Sequence, residues 1–216
     1  VSNYKEHLDA WALMDKLGFD GLGFNEHHTS PYGMMPSPNL IAAAASQRTD
    51  RMKLLIYGNC LPIHEPLRLA EELAMLDCLT DGRLISGFVR GIPREYVAYG
   101  VDQGESRARF QEAWEIIKLA WSEEVFSYKG DFWSYTDVAI WPRPVQQPRP
   151  PVWVPVTVSK ETIEWAGREN IPITPGANAT LAVRQDMIRF YAECLAKNGH
   201  TITPDHVVLG ASVYVA

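Results

Sequence analysis

Four short stretches of the chain carry the residue types that do chemistry. Asn25-Glu26-His27-His28 sets a carboxylate beside two imidazoles. An imidazole titrates near neutral pH and can hold or pass a proton, so this cluster reads as an acid/base group. A polar loop of hydrogen-bonded histidines is the plainer alternative, and three such residues together favour chemistry over it. With His64 and Glu65 the same stretch offers enough nitrogen and oxygen donors for a metal ion. Neighbours on an extended chain point to opposite faces, however, so His27 and His28 could share one ion only in a sharp loop. No metal is assigned.

The second stretch is Tyr57-Gly58-Asn59-Cys60. Gly58 lets backbone approach a flat ligand closely, and Asn59 both donates and accepts hydrogen bonds. A strand end leading into a turn is the competing reading, and Cys60 reads as a small buried residue. The third is Arg90-Gly91: a guanidinium with no side chain beside it suits a phosphate, although a surface salt bridge would use the same residue. The fourth is Ser159-Lys160-Glu161-Thr162, where Ser159 can cap a helix whose free N–H groups and two hydroxyls suit an anion. Glu161 and Glu164 oppose an anion there, and capping alone needs no ligand. Arg90 and Ser159 are expected to converge on one anion.

These residues need elements to place them. Val1–Leu17 has a partly apolar helical face (Leu8, Trp11, Ala12) and ends at Gly18. Strands are predicted over Phe19–Phe24, Met52–Tyr57, Arg83–Phe88, Val152–Val156, Ile171–Thr174 and Val207–Val213. Between them lie a polar loop, Asn25–Pro38, and an Ala-rich helix, Leu40–Gln47. Another helix opens at Pro66, buries Leu69, Leu73 and Leu76, and stops at Asp81-Gly82. A long helix over Glu105–Trp121 carries Phe110, Trp114, Ile117 and Trp121 at helical spacing, and Ser127–Tyr135 reads as a hairpin. The five prolines of Pro142–Pro151 exclude a regular element and make a rigid crossing. Helices follow at Lys160–Arg168 and Leu181–Asn198. Strands alternating with helices run parallel, which predicts an α/β fold of the (β/α)8 barrel type in one domain, 1–216. Six strands are visible where a closed barrel has eight, so the first and last are expected to be missing from this chain. In such barrels chemistry sits at the carboxyl ends of the strands, where the four stretches fall.

Bulk properties narrow the function. Hydrophobic residues make up 46% of the 216, enough for a substantial core, and the net charge of −6 comes without a long basic run. Nucleic acid is therefore not an expected partner. No apolar run reaches the ~20 residues of a membrane span. Three widely spaced cysteines suggest neither a disulfide framework nor a zinc site, and a cytoplasmic setting is expected.

Four groups of residues resemble the luciferase-like monooxygenase family. They are Gly18-Phe19-Asp20-Gly21 with Glu26-His27-His28; Leu61-Pro62 through Pro66-Leu67-Arg68, Ala70-Glu71-Glu72, Leu76-Asp77 and Gly82-Arg83-Leu84; Phe88-Val89-Arg90-Gly91; and Pro150 to Val154 followed by Ser159 to Ala166. The resemblance implies a flavin-dependent oxidoreductase with FMN as cofactor. In it Arg90, Ser159 and Thr162, with Val158 beside them, would hold the phosphate. Tyr57 and Asn59 would flank Gly58, a position where the family often has a non-prolyl cis peptide beneath the flavin. His27 would be the acid/base residue, supported by Glu26 and His28. It further implies reduced FMN from a partner flavin reductase, dioxygen, a flavin C4a-(hydro)peroxide, a small organic substrate and a homodimer. Val89 and Val158 stand where luciferase has a reactive cysteine and a glutamate, so light emission is not expected. A deazaflavin-dependent hydride transferase and a non-catalytic flavin-binding relative are the alternatives.

Overall fold

A computed structural model of the chain describes residues 3–32, 34–157 and 159–211. The chain divides into two compact units, Val1–Pro151 and Val152–Ala216.

The first unit is built on parallel strands. β1 (Gly21–Phe24) pairs with β2 (Lys53–Ile56) from Gly21 opposite Lys53 to Phe24 opposite Ile56, and β2 pairs with β4 (Leu84–Val89). A two-residue β3 (Asn59–Cys60) also pairs with β4, Asn59 opposite Phe88. α1 (Asn3–Leu17) leads into β1; parallel neighbours require a crossover, and α2 (Pro38–Ser46) and α3 (Pro66–Leu79) lie in those connections. After β4 come a short α4 (Pro93–Tyr99), a long α5 (Ser106–Ser122), and an antiparallel hairpin of β5 (Phe126–Lys129) and β6 (Ser134–Val138).

The apolar patterning explains the core. Leu54 and Ile56 of β2, Leu84 and Phe88 of β4, and Phe24 of β1 are fully buried. α3 buries Leu69, Leu73 and Leu76, and α5 buries Phe110, Trp114, Ile117 and Trp121, the stripes expected from their spacing. The Trp114 ring stands 5.6 Å from Phe88, and Trp121 Nε1 donates to the Ala70 carbonyl at 3.1 Å. Burying one such ring is worth about 3 kcal/mol. The turn that follows α3 runs through Asp81 and Gly82, both with positive φ.

The proline-rich crossing is held by side chains rather than by secondary structure. Arg143 donates to the carbonyls of Ala120 and Trp121, and Gln146 bonds the buried carboxylate of Asp77 through both its backbone and its side-chain nitrogen. The Trp141–Pro142 and Gln147–Pro148 bonds are cis.

In the second unit β7 (Val152–Val156) pairs in parallel with β8 (Ile173–Pro175), joined by α6 (Lys160–Arg168) and followed by α7 (Leu181–Lys197).

Several boundaries differ from the sequence expectation. α2 begins at Pro38, not Leu40, because the Ser37 hydroxyl accepts the Leu40 N–H and proline suits the first turn. β1 starts at Gly21, and β8 starts two residues later than expected. β3 and α4 have no counterpart in the sequence expectation. Of the strand expected over 207–213, the described residues show one bridge, Val207 to Ile173; residues 212–216 lie outside them.

Candidate functional site

The carboxyl ends of β1, β2 and β4 bring together residues from five stretches of the first unit. At their centre is Glu26, a buried carboxylate. Its Oε1 lies 2.8 Å from His28 Nε2 and 3.0 Å from His64 Nε2, and its Oε2 accepts the Asn59 amide N–H at 3.0 Å. Burial would raise the proton affinity of Glu26. The bonds from His28, His64 and Asn59 and the charge of His64 outweigh that, and hold its pKa at about 2. The same contact works in reverse on His28, whose pKa is raised first by its hydrogen bond to Glu26, against burial.

His28 Nδ1 faces the Tyr99 hydroxyl at 2.8 Å. His27 turns elsewhere: its Nδ1 lies 3.3 Å from Glu95 Oε1, which also accepts the backbone N–H of His28 at 3.3 Å. The other oxygen of Glu95 accepts the Ile92 N–H at the start of α4. Glu26 therefore supports His28 but does not touch His27. The carboxylate behind His27 is Glu95, not Glu26 as expected. The reason is the alternation of an extended chain, which sends adjacent histidines to different partners. The same divergence removes the shared-ion arrangement. Among the described residues no group of three or more His, Cys, Asp or Glu side chains is arranged to hold a metal ion.

The backbone around this cluster is packed without room for added atoms. The Tyr57–Gly58 peptide is cis. A Cβ on Gly58 would sit 2.5 Å from the Gly87 carbonyl carbon and 2.6 Å from Phe88 N. Asn59 is buried, and its Oδ1 has no hydrogen-bond partner among the described residues. The amide orientation is set by Glu26, which can only accept, so the unpaired atom is an acceptor. Tyr57 is half-buried, and its backbone N–H donates to the Phe24 carbonyl.

Arg90 follows β4. Its carbonyl accepts the Cys60 thiol at 3.1 Å and the Tyr96 hydroxyl at 2.6 Å, while its guanidinium makes no hydrogen bond or ion pair among the described residues. Gly91 has φ +92°, and a Cβ there would lie 2.3 Å from Cys60 Sγ. Burial pushes the Cys60 thiol far up, so it is a packing group and not a nucleophile.

Ser159 and Thr162 belong to the second unit. Ser159 Oγ accepts the Thr162 N–H at 3.3 Å and donates to Glu161 at 2.8 Å, so both plain capping and the acidic neighbour foreseen in the sequence are present. Val158 lies outside the described residues. Glu95 and Tyr99 escaped the sequence reading. Their signal was a helix start at Pro93, with an acid three residues after Ile92, and a stop at Gly100, which together place both just after the Arg90 strand end.

The chain matches the luciferase-like monooxygenase family over residues 2–216 and belongs to it. The oxygenase component of the flavin-dependent trigonelline monooxygenase of Acinetobacter baylyi is 28% identical over 99% of this chain and 59% of its own length. The crystal structure of the monooxygenase RslO1 from Streptomyces bottropensis matches with a TM-score of 0.89 and 31% identity, covering 95% of this chain and 64% of that one. An FMN complex of the oxygenating constituent of 3,6-diketocamphane monooxygenase from Pseudomonas putida shares the fold: its TM-score is 0.86 at 20% identity, over 95% of this chain and 60% of that one. The chain spans about half the length of the curated relatives it matches. The α/β fold with parallel strands is that of luciferase-like barrel monooxygenases. No described helix is long and apolar enough to cross a membrane.

Proposed function

We propose that the chain forms the cofactor and acid/base part of an FMN-dependent monooxygenase that oxidises a small organic substrate with dioxygen. The observation that carries this reading is the unpaired Asn59 Oδ1, buried beside the Glu26 cluster. A buried acceptor left unbonded costs about 1–3 kcal/mol, so its place is explained by a ligand that brings an N–H. The edge of an isoalloxazine ring carries such a donor, and the tight backbone at Tyr57–Gly58 suits a flat partner. For the phosphate we assign Arg90, whose guanidinium makes no hydrogen bond or ion pair among the described residues; within the second unit, the helix start at Ser159 and Thr162 is a separate anion-binding candidate. Within the first unit, the Asn59 acceptor and the Arg90 cation fit the ring edge and the phosphate of FMN.

Reduced FMN, when bound, would supply the electrons that dioxygen needs. His27 would hold or deliver the proton through Nε2, with Nδ1 kept on Glu95. Glu26 would fix His28, His64 and Asn59 in place. A separate flavin reductase is proposed as the source of reduced FMN, in keeping with a relative named as an oxygenase component. A homodimer is proposed on the family resemblance.

The test is titration of the purified protein with FMN, riboflavin and a deazaflavin, followed by oxygen consumption with reductase-supplied FMN. Binding of FMN in preference to riboflavin, with substrate-dependent oxygen uptake, is expected. Preference for the deazaflavin overturns the cofactor assignment, and FMN binding without substrate-dependent uptake overturns the activity.

A further inference from the structure

We infer that Tyr99, His28 and Glu26 form a hydroxyl–imidazole–carboxylate triad, in which the Tyr99 phenol is a second acid/base group separate from His27. The reaction it would serve rests on the monooxygenase reading above; the triad itself rests on geometry alone. Glu26 is buried and surrounded by the donors of His28, His64 and Asn59. A carboxylate so surrounded stays anionic and only accepts. His28 must then present Nε2–H to it, across 2.8 Å. In the neutral ring this leaves Nδ1 bare, and the only proton available across the 2.8 Å gap to Tyr99 is the phenolic one. The Tyr99 hydroxyl therefore donates to His28 Nδ1. Hydroxyl, imidazole and carboxylate stand in the order that lets a hydroxyl give up its proton to a ring oriented from behind.

The step balances within the triad. The Tyr99 O–H bond breaks, a His28 Nδ1–H bond forms, and the imidazolium faces two anions, Glu26 and the nearby Glu95. The phenolate then takes a proton from the group it serves, and His28 returns to neutral when the phenol releases its proton to the product or to water while the Nδ1 proton passes back to the phenol oxygen. Tyr99 is half exposed, so its oxygen can meet a substrate or water that the buried pair cannot. Its ring stands edge-on to His28 at 4.9 Å, which Phe would preserve. His27 is outside this chain of contacts, with Glu95 on one side and the Tyr32 ring on the other.

Nitrogen NMR of 15N-histidine-labelled protein reads the triad without any cofactor. At a pH above the raised titration of His28, the native protein is expected to show this ring as a single Nε2–H tautomer with the Nδ1 signal displaced by an accepted hydrogen bond. Tyr99→Phe should abolish that displacement and keep the tautomer, and Glu26→Gln should mix the tautomers. An Nδ1–H tautomer, or an Nδ1 signal unmoved by Tyr99→Phe, overturns the triad. In the reductase-coupled assay Tyr99→Phe should lower kcat ~100-fold with KM unchanged. Unchanged kcat removes the acid/base role. Failure of FMN to bind, with the NMR result intact, sinks the monooxygenase reading and leaves the triad standing.

Discussion

Glu95 and His27 meet 68 residues apart in the chain, with Oε1 3.3 Å from Nδ1, and the same oxygen takes the backbone N–H of His28. One buried carboxylate thus sets both the ring of His27 and the path of the backbone that carries it. Its second oxygen caps α4, so the helix and the histidine are placed by a single side chain.

Removing the ring should separate binding from turnover. His27→Asn is expected to lower substrate-dependent oxygen uptake ~100-fold or more while FMN binds as before. Glu95→Ala should lower turnover too, and should also destabilise the fold by about 1–3 kcal/mol because the Ile92 and His28 N–H groups lose their acceptor. Steady-state kinetics and urea denaturation of the two variants read these effects; a Glu95→Ala protein with native turnover would detach Glu95 from His27.

Glu26 makes acid stability predictable in sign. Its pKa is lowered from 4.5 to about 2, so its stabilisation is full above pH 4.5 and is lost as pH falls toward 2. That displacement corresponds to about 3 kcal/mol. His28 runs the other way: its raised pKa gives stabilisation that is full below 6.5 and is lost as pH rises through the folded value. The stability difference between native protein and Glu26→Gln should therefore shrink by about 3 kcal/mol between pH 5 and pH 2, measured by denaturant unfolding at each pH.

Gly58→Ala should be poorly tolerated. Its Cβ would press on the backbone of Gly87 and Phe88 at 2.5–2.6 Å, and strand backbone cannot rotate away as a side chain can. A loss of about 2 kcal/mol or more is expected, seen as a Tm lower by several degrees. A native Tm would mean that β3 and β4 separate more easily than their packing indicates.

Arg90→Gln tests the phosphate assignment. Losing charge-assisted bonds to a phosphate is worth about 1.5–3 kcal/mol, or roughly 10- to 150-fold in affinity. The loss should fall on FMN and spare riboflavin, which has no phosphate. Equal weakening of both ligands in a fluorescence titration would place the phosphate elsewhere.

The β5–β6 hairpin hangs on Glu112 of α5, whose carboxylate accepts the N–H groups of Asp131, Phe132 and Trp133. Arg109 of the same helix lies over the Phe132 ring at 4.4 Å. Glu112→Ala should free this turn, with faster hydrogen exchange at residues 131–133 and little change in the parallel strands. Unchanged exchange there would show that the Arg109 contact alone holds the hairpin.

Much of this was legible in the residues in order. The stripes of α3 and α5, the stop at Asp81-Gly82 and the alternation of strands with helices are local patterns, and local geometry enforces them. The same holds for the Glu26-His27-His28 cluster at the end of β1 and for Arg90 at the end of β4, because a strand fixes the position of the residues that leave its carboxyl end. β3 was too short to show a period, and α4 has only seven residues, five of them outside the core.

The chain order by itself determined the class of fold, the family and the residue types gathered at the strand ends, because periodicity, glycine stops and proline starts act over a few residues. Which carboxylate serves which histidine was decided only by tertiary structure. Glu26, the obvious neighbour, turned to His28 and His64, and His27 found Glu95 across the sheet end. Adjacent side chains on an extended backbone leave in opposite directions, so proximity in sequence is a poor guide to partnership. The packing of β1, β2 and β4 side by side supplied the partners that no short window of the sequence contains.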